Sequence, residues 1–133
     1  MISIKKITLA LVFLILLLLF ACQAKENDLI FSGEGENWSS KVTVSQTDGD
    51  ESYKFQINYK EYSKQDIPNF SYNVEAKNGG VIDFSENNVS LDNEGLYQSD
   101  FPISNSASTS IKDELVIKVE WDGKSEEFTL IKK

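Results

Sequence analysis

The sequence predicts an all-β domain, an antiparallel β-sandwich of immunoglobulin-like type with seven or eight strands, placed after an N-terminal signal peptide. Three observations predict it. Apolar and polar residues alternate with a period of two on both sides of Asp48-Gly49 and again on both sides of Asp122-Gly123, the pattern of half-buried strands joined by tight turns. Turn-forming residues recur roughly every ten positions. No stretch after residue 22 keeps a helical period over three turns. The same alternation also permits a small closed barrel.

The chain opens differently. Lys5 and Lys6 precede an apolar run from Ile7 to Ala21, which ends against the single cysteine, Cys22. A charged start, an apolar stretch of moderate length and a small residue at its exit form a secretory signal. As a helix the run reaches roughly 22 Å at about 1.5 Å per residue, short of the roughly 30 Å of hydrocarbon in a bilayer. Left uncut, it makes a marginal N-terminal anchor; a third reading is ordinary secretion with a spare thiol. Residues 1–21 are therefore assigned to the signal, 22–28 to a short polar tether and 29–133 to the β-sandwich domain.

Leu19, Ala21 and Cys22 resemble the lipobox of bacterial lipoproteins, with a branched apolar residue three before the cysteine and a small residue immediately before it. Phe20 stands where that pattern usually has a small or β-branched residue. The resemblance covers the first 22 residues. It implies cleavage between Ala21 and Cys22 and a diacylglyceryl group on the Cys22 sulfur, with acyl chains such as palmitate. The protein is then lipid-anchored on the extracytoplasmic face of the cell membrane. Each buried methylene contributes about 0.8 kcal/mol, so two or three chains hold a small domain where one is marginal.

Composition bounds the partners. Without residues 1–21 the chain keeps 11 lysines, no arginine and 21 acidic residues, a formal charge of −10. That excess argues against nucleic acid, whose phosphates a binder must neutralise with lysine and arginine. It also makes the lipid a tether and the domain a float above anionic surfaces. About 112 residues form one domain. With no second cysteine there is no internal disulfide, so stability comes from packing.

Gly33-Glu34-Gly35-Glu36-Asn37-Trp38 and, near the end, Val119-Glu120-Trp121-Asp122-Gly123-Lys124 resemble segments of a group of small, mostly uncharacterised lipoproteins of spore-forming Gram-positive bacteria. That likeness implies architecture and location. Read physically, the glycines turn the chain and Trp38 then enters the core.

From Trp38 the elements follow in order. Trp38, Ser40, Val42 and Val44 share one face, and Tyr53, Phe55, Ile57 and Tyr59 share the inward face after the turn. With Asp48 and Gly49 as loop residues, Val44 faces Tyr53, Val42 faces Phe55, Ser40 faces Ile57 and Trp38 faces Tyr59; a slip of one residue turns the whole set to water. Phe70, Tyr72, Val74 and Ala76 form a strand after Pro68, and Asn78-Gly79-Gly80 turns into Val81-Ile82-Asp83-Phe84. Short strands follow between Asn87 and Gln98, then a serine-rich loop from about Phe101 to Ser110. The last hairpin places Ile117 opposite Phe128, Leu115 opposite Leu130 and Lys118 opposite Glu127.

Chemistry is sparse. Without histidine there is no imidazole base, so the common triads and histidine-based zinc sites are absent; acylation of Cys22 removes the thiol. No catalytic residue, cofactor or metal ligand is assigned, and the chain is not read as an enzyme. Carboxylate pairs among the acids read as solvated surface. Calcium is the best metal candidate, through Asp48, Asp50 and Glu51 or Asp92, Asn93 and Glu94, but neither cluster has an EF-hand spacing, and acidic turns are common without metal. The expected function is a membrane-anchored binding or interaction module that contacts an envelope protein, a cell-wall component or a small ligand. The alternative is a structural or accessory envelope protein with no specific ligand.

Overall fold

Two hairpins seed the fold. Strands β2 (Trp38–Thr47) and β3 (Asp50–Tyr59) pair with Val44 opposite Tyr53, Val42 opposite Phe55, Ser40 opposite Ile57 and Trp38 opposite Tyr59, the register that the alternation predicts. Asp48 and Gly49 between them have φ of 51° and 87°, the left-handed pair a type I′ turn requires. Strands β7 (Glu114–Trp121) and β8 (Lys124–Lys132) repeat the device around Asp122 and Gly123, with Ile117 opposite Phe128, Leu115 opposite Leu130 and Lys118 opposite Glu127.

The computed structural model describes residues 3–21, 26–61, 69–77, 80–104 and 109–133. In it β1 (Glu26–Glu34) joins the hairpins, pairing with β2 on one side and with β8, at Phe31–Lys132 and Ser32–Ile131, on the other. Strand β4 (Phe70–Ala76) adds to β7, β5 (Asp83–Val89) to β4, and β6 (Leu96–Ser104) to β3. The result is one antiparallel sheet of eight strands in the order β5-β4-β7-β8-β1-β2-β3-β6. Its two end strands come round to face each other: Phe84 of β5 stacks on Phe101 of β6 with ring centroids 4.4 Å apart, and the Tyr97 hydroxyl of β6 donates to Glu86 of β5 at 2.8 Å. The sheet is therefore nearly closed and barrel-like rather than a clear immunoglobulin-like sandwich. The cause is β1: bonded along both edges, it fuses the hairpins into a single ladder where a sandwich needs two separate sheets.

Three boundaries differ from the alternation-based reading. β1 begins at Glu26, inside the stretch expected as tether, because Glu26 already pairs with Thr47. β6 runs to Ser104, so Phe101 and Pro102 lie in a strand and not in the expected loop. Pro102 is tolerated there because β6 is an end strand with one unpaired edge, beside the register shift at Glu51 and Ser52. β5 starts at Asp83, two residues after Val81. Tyr62, Pro68, Asn78 and Gly79 lie outside the described residues.

The interior is filled by side chains. Phe31, Trp38, Phe55, Ile57, Leu115 and Ile117 are fully buried, and β4 adds Phe70, Tyr72 and Val74. Aromatic rings link opposite walls: Phe55 stacks on Tyr72 at 4.2 Å, Trp38 meets Phe70 at 4.9 Å and Phe70 meets Tyr97 edge-on at 5.8 Å. Helix α1 (Ile4–Ala21) adds none of its described side chains to this core. Its described side chains, residues 3–16, are exposed all round. Its 18 residues reach about 27 Å at about 1.5 Å each, and among the described residues no helix is long and apolar enough to cross a membrane.

Candidate functional site

Cys22, the expected lipid-attachment residue, lies outside the described residues. Ala21, the expected cleavage neighbour, closes α1, and the described chain resumes at Glu26 with β1.

The described polar chemistry gathers around three carboxylates, each at the inward phase of its strand. Glu51 continues the row of Tyr53, Phe55 and Ile57, and at 1 % exposure it is the one charged side chain buried among the described residues. It accepts from the Thr109 N–H at 2.7 Å, the Thr109 hydroxyl at 2.9 Å, the Gln46 amide at 2.8 Å and the Tyr53 hydroxyl at 2.8 Å. Burial pushes its carboxyl up, but the hydrogen bonds from Gln46, Thr109 and Tyr53 together outweigh that and hold it below the ordinary carboxylate value. The Tyr53 hydroxyl is pushed up, by burial first and then by its bond to Glu51.

Glu86 follows the phase of Phe84 and sits at the seam between β5 and β6. It accepts from Tyr72 at 2.6 Å and Tyr97 at 2.8 Å. Burial again raises its carboxyl, and the bonds from Tyr72, Tyr97 and Ser99 lower it further than burial raises it. Both tyrosines are pushed up, by burial and then by Glu86. Glu126 follows the phase of Phe128 and Leu130. Its carboxylate accepts from the Asn37 N–H at 2.9 Å and the Trp38 N–H at 3.0 Å. That explains the Gly-Glu-Gly-Glu-Asn-Trp run: a Cβ on Gly35 would stand 2.7 Å from the Glu126 Cδ, and one on Gly33 would meet the Thr129 carbonyl oxygen. The motif is a clamp that seats Trp38, whose ring is wholly buried.

None of the three carboxylates is presented to a ligand, since protein donors occupy each. What faces outward is polar and shallow. One groove of about 410 Å³ crosses the outer face of β1, β2 and β3, where Ser32, Ser39, Lys41, Gln56 and Asn58 line it; the Ser39 hydroxyl donates to Asn58 within it. A second of about 450 Å³ lies at the β7–β8 turn beside Asn69, Lys118 and Lys124. Trp121 borders that groove but is only 7 % exposed, its ring edge-on to Trp38 at 5.5 Å, so it packs and offers no stacking face.

The acidic turns are used structurally. Glu51 turns inward and away from Asp48 and Asp50. The Asp92 carboxylate accepts from the Glu94 and Leu96 N–H groups at 2.8 and 2.9 Å, closing its own turn. Among the described residues no group of three or more acidic, histidine or cysteine side chains is placed to hold a metal ion. Strand phase puts all three acids on the inward side, a signal that reading Glu51 as part of an acidic turn passes over. Comparison with protein-family models, with curated proteins and with solved structures finds no match to this chain.

Proposed function

We propose that the protein is a membrane-anchored extracytoplasmic lipoprotein, held through lipid on Cys22, whose barrel-like domain is a binding module using its outer polar groove on β1, β2 and β3. The observation that carries this reading is the division of the apolar material into two unrelated bodies. The described side chains of α1, mostly apolar, are exposed, and none of them enters the core of the barrel-like domain, the arrangement of an address segment and an independent cargo. Because the interior is filled, a ligand would be met on the outside. There Ser39, Lys41, Gln56 and Asn58 present hydroxyl, ammonium and amide groups, which suit a polar partner rich in hydrogen-bonding groups, such as a cell-wall component or an envelope protein.

The accessory reading, an envelope protein with no specific ligand, draws support from the shallowness of the grooves. A photo-crosslinking residue at Gln56, compared with one at Lys118 on another face, separates the two in intact envelopes. A discrete adduct from position 56 alone supports the binding module. No adduct above background from either position supports the accessory role.

A further inference from the structure

We infer that the domain rests its β1-entry end on the bilayer through two apolar loop tips, Val81 and Ile111; this rests on the lipid-anchor reading above. Strand register places the tips. β1 begins at that end, where Glu26 pairs with Thr47 beside the Asp48–Gly49 turn. β7 also begins there, with Glu114 opposite Ile131, and β4 ends there, with Ala76 opposite Leu115. Lys77, Gly80 and Val81, and the turn from Thr109 to Asp113, therefore lie at this end. Among the described residues the opposite end carries the turns at 35–37, 92–95 and 122–123, together with residues 60–61 after β3 and Asn69 before β4.

Outside α1, the large apolar side chains that the described residues expose are Ile30 and Ile131, on β1 and β8, and two loop tips. Val81 is 51 % and Ile111 62 % exposed, while among the described residues no turn at the opposite end exposes a large apolar side chain. Both tips stand on anchored loops. Ile111 crowns a turn closed by the Asp113 N–H on the Ser110 carbonyl at 3.0 Å, and that turn is rooted through Thr109 in the buried Glu51. Val81 precedes Ile82, which is buried and whose carbonyl accepts from the Ala76 N–H at 2.9 Å. Hydrogen-bonded backbone that holds isolated aliphatic tips outward, next to residues packed inward, suits an interface that takes apolar side chains.

Chain length names the occupant. Four residues separate Ala21 from Glu26, so at about 3.6 Å per residue Cys22 lies within about 15 Å of the first residue of β1. A lipid on Cys22 brings this end, and not the other, to the membrane. Charge does not supply the attraction: Lys77, Lys112, Lys132 and Lys133 are outnumbered by carboxylates at the same end, and Lys77 is already paired with Glu114 at 3.1 Å. Contact should therefore form on neutral lipid and persist in salt.

The test uses the lipid-anchored protein reconstituted in phosphatidylcholine vesicles, with an environment-sensitive dye on Val81→Cys, Ile111→Cys or, at the other end, Asp122→Cys. Co-flotation with vesicles reports the anchor, and dye quenching reports the contact. The expected result is co-flotation of all three, with iodide quenching at 81 and 111 several-fold weaker than at 122 and unchanged by salt. Co-flotation with equal quenching at all three positions overturns the contact and leaves the anchor standing. Failure to float overturns both.

Discussion

Glu51 binds Thr109 through both of its donors, the N–H at 2.7 Å and the hydroxyl at 2.9 Å, across 58 residues of sequence. The bond pins the segment before β7 to the start of β3 at one end of the barrel. Removing the carboxylate strands several buried donors at once, each costing about 1–3 kcal/mol when unsatisfied. Glu51→Ala should therefore lose about 3 kcal/mol or more, and Thr109→Ala, which removes one hydroxyl bond, about 1 kcal/mol. Urea unfolding of both variants checks the ranking; equal small losses would show that the carboxylate is not a tie.

Stability should depend on pH at the extremes and little between. Glu51 and Glu86 have folded-state values below the ordinary 4.5. Their contribution is present above that value and is lost as pH falls through their lower folded values, since the unfolded chain then binds protons more readily. Tyr53, Tyr72 and Tyr97 are raised above the ordinary 10.0. Their contribution is present below 10.0 and is lost as pH climbs from there toward the raised folded values. Having no histidine, the chain should show a flat midpoint between about pH 6 and 8. Thermal unfolding scans across pH check this; a transition centred in that window would contradict it.

The seam should be the first part of the barrel to open. β5 and β6 each pair on one side, and among the described residues side chains span the gap between them, through Phe84 on Phe101 and Tyr97 on Glu86. Amide exchange should be faster in β5 and β6 than in β2 and β7, which are paired along both edges. Tyr97→Phe, which deletes a bond to a charged acceptor, should cost about 1–2 kcal/mol and raise exchange at the seam more than elsewhere.

The turn before Trp38 should resist any added side chain. Gly33→Ala and Gly35→Ala each force a methyl into the Thr129 carbonyl or the Glu126 carboxylate, and overpacking of this kind costs about 1–3 kcal/mol. At Trp38 the indole N–H is buried and meets no acceptor among the described residues, so Trp38→Phe removes that donor along with ring volume. It should be much milder than Trp38→Ala, whose cost is about 3–5 kcal/mol. Chemical denaturation of the four variants measures both claims.

Much of this fold was legible in the residue pattern, because period-two alternation and left-handed turn pairs are local. Both hairpin registers could be written down from Asp48-Gly49 and Asp122-Gly123 alone. Closure was not legible, since it depends on β1 pairing along both edges, a long-range choice that alternation does not encode. Pro102 and the surrounding serines masked β6 for a related reason: a strand with one free edge tolerates residues that a central strand excludes. The polar sites were half legible. Glu51, Glu86 and Glu126 share the inward phase of Tyr53, Phe84 and Phe128, yet their acidity reads as surface until the donors that meet them are seen.

The lipid on Cys22 is the claim from which location, orientation and the contact at Val81 and Ile111 all follow. Intact-mass and peptide mass spectrometry of the protein purified from its native membrane tests it most directly. The account expects a chain beginning at Cys22 with a diacylglyceryl thioether on its sulfur. A chain that still carries residues 1–21, or a free thiol at Cys22, would contradict it.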